Sequence, residues 1–392
     1  MTTLTPISAN LPIVDICPEV EILVCCARTC MDSKNAERLK ILLHENIDWE
    51  YLIQTANLQG LMPLLYWNLN TTCPEGVPKA TLAQLRASFE ANAGWSLTLT
   101  GELLRLLELF ATHEIPAIPF KGAVLAASAY GNLALRQFCD LDILVRQQDV
   151  LAAKDLLISQ GYRLDDEWGW ECNLISQDGR ISVDLHQAIT PNDFPVSIYF
   201  DDLWKGVKSV SLAGINVLSL SPEDLLLILC INIARDSWQD RERLVQICDV
   251  AEVIRVYQEM NWEQIIKRAS QLNSLRMLFL GLLLAHDLLG ANLPEEVLKR
   301  VQAEQIVKSL ASLVCKWLFC QAENPTRGRE KKLFYFQVRE RFQDRVPYLA
   351  HLVHLLIAPS ETDRAFLPLP TSLSFLYYLI RPIRVVIKLM LR

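Results

Sequence analysis

Between Val20 and Phe110 apolar residues recur at three- and four-residue spacing, in EILVCCARTC, AERLKILLHEN, WEYLIQTANLQGLMPLLYWNL and TLTGELLRLLELFATH. That is the period of helices that bury one face. Only TTCPEGVPKA, Thr71 to Ala80, is rich in breakers, and it reads as a loop. The first third is therefore expected to be a helical bundle, and nothing in it suggests chemistry.

At Ile115 the period changes. IPAIPFKG reads as a short strand ending at a glycine, followed by the helical AVLAASAY; then come the strand DLDILV, a helix from about Gln148 to Ser159 closed by Gly161, and the strand YRLDD. WECNLIS and ISVDLHQAI flank Gln177-Asp178-Gly179-Arg180, whose Asp-Gly pair suits a tight hairpin turn. Ile115 to Ile189 thus reads β-α-β-α-β-β-β, a compact α/β module. From Ser221 the helical period returns in SPEDLLLILCINIARDSW, with Ser221 as N-cap and Pro222 at the first helical position. Further helices are expected in RERLVQICDVAEVIRVYQEM, NWEQIIKRASQL and SLRMLFLGLLLAHDLLG and from about Pro294 to Gln321, with ENPTRGREKK, Glu323 to Lys332, as a charged loop. The expected domains are a helical region over 1–112, an α/β core over 113–220, a helical bundle over 221–322, and a loop with a helical extension over 323–392.

Composition narrows the class. The 392-residue chain is 51% apolar and 21% charged, with a mean hydropathy of +0.18, which describes a packed globular protein. The longest apolar run, Met277 to Ala285, is about half a membrane span, and MTTLTPISANLPIVD lacks a basic segment followed by an apolar block. A cytoplasmic location is the expectation. Eleven scattered cysteines suggest buried thiols rather than disulfides or a zinc site. The net charge of −7 disfavours nucleic acid as a partner.

The candidate chemistry lies in RQFCDLDILV, Arg136 to Val145. Asp140 and Asp142 sit two apart in a strand and emerge on one face. Like charges on a buried strand repel and resist desolvation, so a cation is needed nearby, and a divalent metal is the first candidate. Asp184 can supply a third carboxylate from an adjacent strand. Gly122 opens a helix directly after a strand, where backbone N–H groups can face a phosphate. Two metals held this way would stabilise an in-line displacement at phosphorus.

Strand, Lys121-Gly122, helix, Tyr130, Arg136, Asp-Leu-Asp, helix, Gly161-Tyr162 and Asp184-Leu185-His186 together resemble the polymerase-beta-like nucleotidyltransferase superfamily, specifically its largely uncharacterised bacterial branch. DWEYLIQTANLQGLMPLLY before the core, and PEDLLLILC, ICDVAEVI and FLPLPTSLSFLYYLIRPIR after it, extend the likeness over most of the chain. The resemblance implies an α+β fold with a central nucleotidyltransferase-type mixed sheet between N- and C-terminal helical regions. It implies Asp140, Asp142 and Asp184 as catalytic metal carboxylates, Mg²⁺ or Mn²⁺ as the ion, and Gly122 in the phosphate-facing turn. The implied reaction is transfer of a nucleoside monophosphate from a nucleoside triphosphate, with ATP expected, to a hydroxyl of a small-molecule, peptide or protein acceptor. The alternative is a catalytically inactive module of the same fold that binds partners. Ala123 stands where the superfamily usually has serine, and Asn232 and Asp236 stand where the branch is expected to carry histidines.

Among nucleotide-binding candidates, Lys121 can serve as a point charge or be a solvated strand-end lysine, and Arg136 can clamp phosphate or pair internally. His186 shares a face with Asp184 and can orient the metal site, act as base, or be structural. The run Asp165, Asp166, Glu167 reads as a solvated turn. Trp168, Trp170 and Trp238 can stack on a base but read first as core. The tail from Thr371 to Arg392 has no acidic residue. It reads as a basic amphipathic helix docked on the core, with weak membrane-surface contact as the alternative.

Overall fold

The computed structural model describes residues 17–319 and 326–346, together with 349, 358, 367, 371–378 and 381. The helical period of the first third forms α1 (Pro18–Cys26), α2 (Ser33–Leu42), α3 (Trp49–Leu58), α4 (Met62–Thr72) and α5 (Lys79–Thr112). Asp32 and Asp48 cap α2 and α3 by accepting the N–H groups of Asn35 and Tyr51, which satisfies donors that a helix start leaves unpaired. Ile22, Leu39, Leu52, Leu65, Leu69 and Leu85 close one apolar core.

The second core forms under a sheet. Its strands are β1 (Ala117–Pro119), β2 (Asp140–Val145), β3 (Arg163–Trp168), β4 (Glu171–Ile175) and β5 (Ser182–His186), with α6 (Gly122–Leu125) between β1 and β2, and α7 (Val150–Ser159) between β2 and β3. They lie in the order β1-β2-β5-β4-β3; β2 and β5 run parallel and every other pair is antiparallel. Alternation decides which residues go inside. Leu141, Ile143, Val145, Cys172, Leu174, Val183 and Leu185 pack beneath Leu99, Leu103, Leu106 and Phe110 of α5 and Ala153 and Leu157 of α7. The opposite face is left to Asp140, Asp142, Asn173, Asp184 and their neighbours.

After the sheet come α8 (Phe200–Trp204) and a hairpin of β6 (Lys208–Leu212) and β7 (Ile215–Ser219). This hairpin was not expected. Val210, Leu212, Ile215 and Val217 alternate with polar residues, and Leu212 and Val217 reach the core under the sheet, but the two-residue turn, Ala213 and Gly214 at φ 49° and 84°, is of the primed type without the Asn-Gly or Asp-Gly pair that marks one.

The C-terminal helices are α9 (Pro222–Trp238), α10 (Leu244–Val256), α11 (Trp262–Gln271), α12 (Leu275–Leu289), α13 (Glu295–Ala303), α14 (Gln305–Phe319) and α15 (Arg327–Val338). Ser221 caps α9 as its sequence indicates, accepting from the N–H of Asp224. Apolar on nearly every side, α9 packs on α10, α11 and α12. Two expectations are corrected here. The single helix read from Pro294 to Gln321 is broken at Glu304, whose ψ of 98° is extended. Arg327 to Lys332, read as loop, is helical; Glu330 accepts from Lys316, Trp317 and Thr326, and this anchors the charged turn to α14. Residues 320–325 lie outside the described residues.

The chain divides into two units after Val338. In the second, Arg345 donates twice to the Arg339 carbonyl, at 3.0 and 2.8 Å, and Thr371–Leu376 forms a 3-10 turn. Most of the basic tail, 382–392 included, lies outside the described residues. No helix among the described residues is long and apolar enough to cross a membrane. The described cysteines are free thiols.

Candidate functional site

The polar face of the sheet gathers the acidic residues. In the parallel register Asp142 lies beside Asp184 and Leu144 beside His186, and Asp140 precedes Asp142 by two residues on the same face. Asp142, Asp184 and His186 each offer a ligand atom within 4.8 Å of the other two. Two carboxylates and an imidazole form a donor set that suits a divalent cation. Asp140 stands outside that group. Lys121, at the turn between β1 and α6, brings its Nζ to 3.5 Å from Asp142 Oδ1. The same turn holds Gly122 at φ +48°, with the Asp140 carbonyl and the Phe138 ring in contact range of where a Cβ would project. A left-handed backbone at that spot favours glycine.

The charges are unevenly settled. Burial, and then the charges of Asp142 and Asp184, push the Asp140 carboxyl up to about 7. Burial also opposes ionisation of Asp142, but Lys121 and the hydrogen-bonded His186 outweigh it and hold this carboxyl well below the usual range. Asp184 is raised by burial and by Asp142, although Asn173 donates a short hydrogen bond to it. Glu171 is raised by burial, against the pull of His186. The cluster therefore holds more negative charge than Lys121 balances, a deficit that a cation would remove.

Arg136 is not a phosphate clamp in this arrangement. Its guanidinium is buried and donates from Nε and Nη2 to Asp249 of α10, both at 2.8 Å, and the Tyr130 hydroxyl donates to the same carboxylate at 2.6 Å. His186 is buried, its Nε2 3.0 Å from Asp142. Ala123 is buried and brings no hydroxyl to the turn. Asp236 accepts from Arg235 and Gln246, and Asn232 is buried with no hydrogen-bond partner for either amide atom. Asp165, Asp166 and Glu167 are exposed on the edge strand β3. Trp168 is exposed; Trp238 stacks on Tyr335; Trp170 lies 5.4 Å from the His186 ring.

Four residues near the cluster escaped the sequence reading. Glu171 and Asn173 alternate with Cys172 and Leu174 in WECNLIS, and that period places them on the polar face. Asp249 and Arg235 sit on helices far away in sequence, and no local pattern marks them. The Arg235 guanidinium is buried against the Trp170 ring, at 5.6 Å, and pairs with Asp236.

A family model described as uncharacterised nucleotidyltransferase matches residues 45–290, well over half of the chain. The protein belongs to this nucleotidyltransferase family. The match spans α3 to α5 before the sheet, the sheet itself, and α9 to α12. No curated protein is matched. Among solved structures, the lincosamide antibiotic adenylyltransferase LnuA in its lincomycin-bound form is 19% identical, over 32% of this chain and 83% of that one, with a TM-score of 0.28. The antibiotic-resistance factor ANT(2'')-Ia is 13% identical, over 46% of this chain and 92% of that one, with a TM-score of 0.34. Superpositions this loose carry no argument about substrate.

Proposed function

We propose that this nucleotidyltransferase moves a nucleoside monophosphate from a nucleoside triphosphate, with ATP the expected donor, to a hydroxyl of a small-molecule, peptide or protein acceptor. Asp140, Asp142 and Asp184 would hold the divalent cation, Mg²⁺ or Mn²⁺. The observation that supports this most is the β2–β5 register, which sets Asp142 beside Asp184 within reach of Lys121. When bound, the cation supplies positive charge to the attacking and leaving oxygens at phosphorus.

The chain's own residues do the rest. Lys121 offers a point charge to a phosphate oxygen while already steadying Asp142. The Gly122 turn lets the backbone approach the triphosphate closely, which compensates in part for the hydroxyl absent at Ala123. His186 holds Asp142 in place. Arg136 contributes indirectly, by fixing the chain that leads into β2.

A second reading, a binding module of this fold without catalysis, is favoured by Ala123 and by the orphaned Asn232 amide. The experiment that separates the two is incubation with α-labelled nucleotides, Mg²⁺ or Mn²⁺ and a host lysate, beside an Asp140→Ala/Asp142→Ala variant. Label transfer that needs the aspartates is expected. Metal-dependent nucleotide binding without transfer would support the second reading, and neither binding nor transfer would overturn both.

A further inference from the structure

We infer that Glu171 is a positioning residue for the carboxylate cluster: through His186 it fixes the orientation in which Asp142 meets a cation. The inference rests on reading the cluster as a cation site. In the antiparallel β4–β5 register Glu171 lies directly opposite His186, and in the parallel β2–β5 register Asp142 lies beside Asp184. All four side chains therefore leave rigid strands on the same face. The imidazole spans the gap between the outer two acids, with Nε2 3.0 Å from Asp142 Oδ1 and Nδ1 3.2 Å from Glu171 Oε2. The Nδ1 contact lies off the line of a good hydrogen bond, so Glu171 acts on the ring chiefly through charge.

The ring cannot turn away from this arrangement. His186 is only 2% exposed, with Phe120 set edge-on at 5.1 Å and Trp170 at 5.4 Å. Nε2 faces Asp142 and Nδ1 faces Glu171, so the ring steadies a carboxylate ligand here, and to ligate an ion itself it would have to give up one of these contacts. Asp142 Oδ1 meets His186 and also Lys121 at 3.5 Å, which leaves Oδ2 as the oxygen to face a cation. Side chains that hydrogen-bond a metal-ligating carboxylate set its direction, and losing one costs about 10–100-fold in metal affinity; His186 stands in that relation to Asp142, and Glu171 acts on His186 from one step further out. Glu171 has no other hydrogen bond or ion pair among the described residues that would account for an acid buried here.

The test is Mn²⁺ binding by the full-length protein, measured by calorimetry for wild type, Glu171→Gln, His186→Gln and the double variant. In parallel, the imidazole ¹⁵N shifts of His186 are read without metal. Glu171→Gln is expected to move those shifts and to weaken Mn²⁺ about tenfold or more, and in the His186→Gln background the same change is expected to add nothing. Glu171→Asp, too short to reach the ring, serves as the second variant if Glu171→Gln folds poorly, with the same expected loss. Unchanged Mn²⁺ affinity in both Glu171 variants would overturn the inference while leaving the cation site standing. So would a loss of equal size with and without His186, because Glu171 would then act on the ion directly. A wild-type protein that binds no Mn²⁺ would instead remove the cation-site reading, and the inference with it.

Discussion

Arg136 and Asp249, 113 residues apart, meet through two hydrogen bonds of 2.8 Å in a buried pocket that Tyr130 completes. The pair ties the segment entering β2 to helix α10. Burial lowers the proton affinity of the guanidinium, but Asp249 overrides it and raises the Arg136 pKa. Removing one partner would strand a charge in the interior. Asp249→Ala is therefore expected to destabilise the protein by about 3–5 kcal/mol, read as a fall in the urea midpoint. Replacing both residues together, Arg136→Met with Asp249→Leu, is expected to recover most of that loss; equal losses in single and double variants would disprove the pairing argument.

Stability without metal is expected to fall as pH rises toward neutrality. The folded Asp140 pKa of about 7 lies above the ordinary carboxylate value. Its ionised form is therefore disfavoured in the native state, and the cost is absent below about pH 4, grows through the window up to about pH 7 and is complete above it. Asp142 has the opposite sign: its stabilisation is present above the ordinary carboxylate range and is lost only in strong acid, outside this window. Thermal melts at about pH 5 and about pH 8 with chelator present should show the lower Tm at the higher pH. Asp140→Asn should flatten the difference, and saturating Mg²⁺ should stabilise more at the alkaline end.

Asp184→Asn separates stability from activity. The asparagine keeps a hydrogen-bond acceptor for Asn173 and removes one of the mutually repelling charges. Without metal the variant should melt at or above the wild-type temperature. Any label transfer should drop by about a hundredfold or more. A variant that melted lower and kept its transfer would show Asp184 to be structural.

How much of this was legible follows from where the information lies. Asp140 and Asp142 could be put on one face because strand alternation is local, and so could Asp184 and His186. That β2 and β5 are neighbours and parallel is a matter of long-range pairing, which VDLH alone does not encode; only the ordered likeness to the nucleotidyltransferases suggested it. Arg136 could be read as a phosphate clamp or as an internally paired guanidinium, and the sequence did not decide between them for the same reason: its partner, Asp249, lies on α10 and nothing near either residue reports the other. Glu171 had the right alternation but no sign that its cross-strand neighbour would be His186. The β6–β7 hairpin was missed because its alternation is short and its turn is Ala-Gly, not the Asn-Gly or Asp-Gly that marks a hairpin.

Gly281 makes the last case, on packing rather than chemistry. It lies in α12 where that helix crosses α9, and a Cβ there would sit 2.5 Å from Cys230 Sγ, 2.8 Å from its Cβ and 3.1 Å from its Cα. Rotating the thiol would relieve the first contact only, because the other two belong to the body of α9. The helices would have to separate, and with them the buried residues Leu226, Ile233, Leu278 and Leu282. Gly281→Ala is therefore expected to cost about 1–3 kcal/mol despite alanine's better helix propensity, measured by chemical denaturation. Cys230→Ala alone should not rescue it, since Cys230 Cα and Cβ remain in place. Full rescue by Cys230→Ala would mean that the crossing is looser than these distances require.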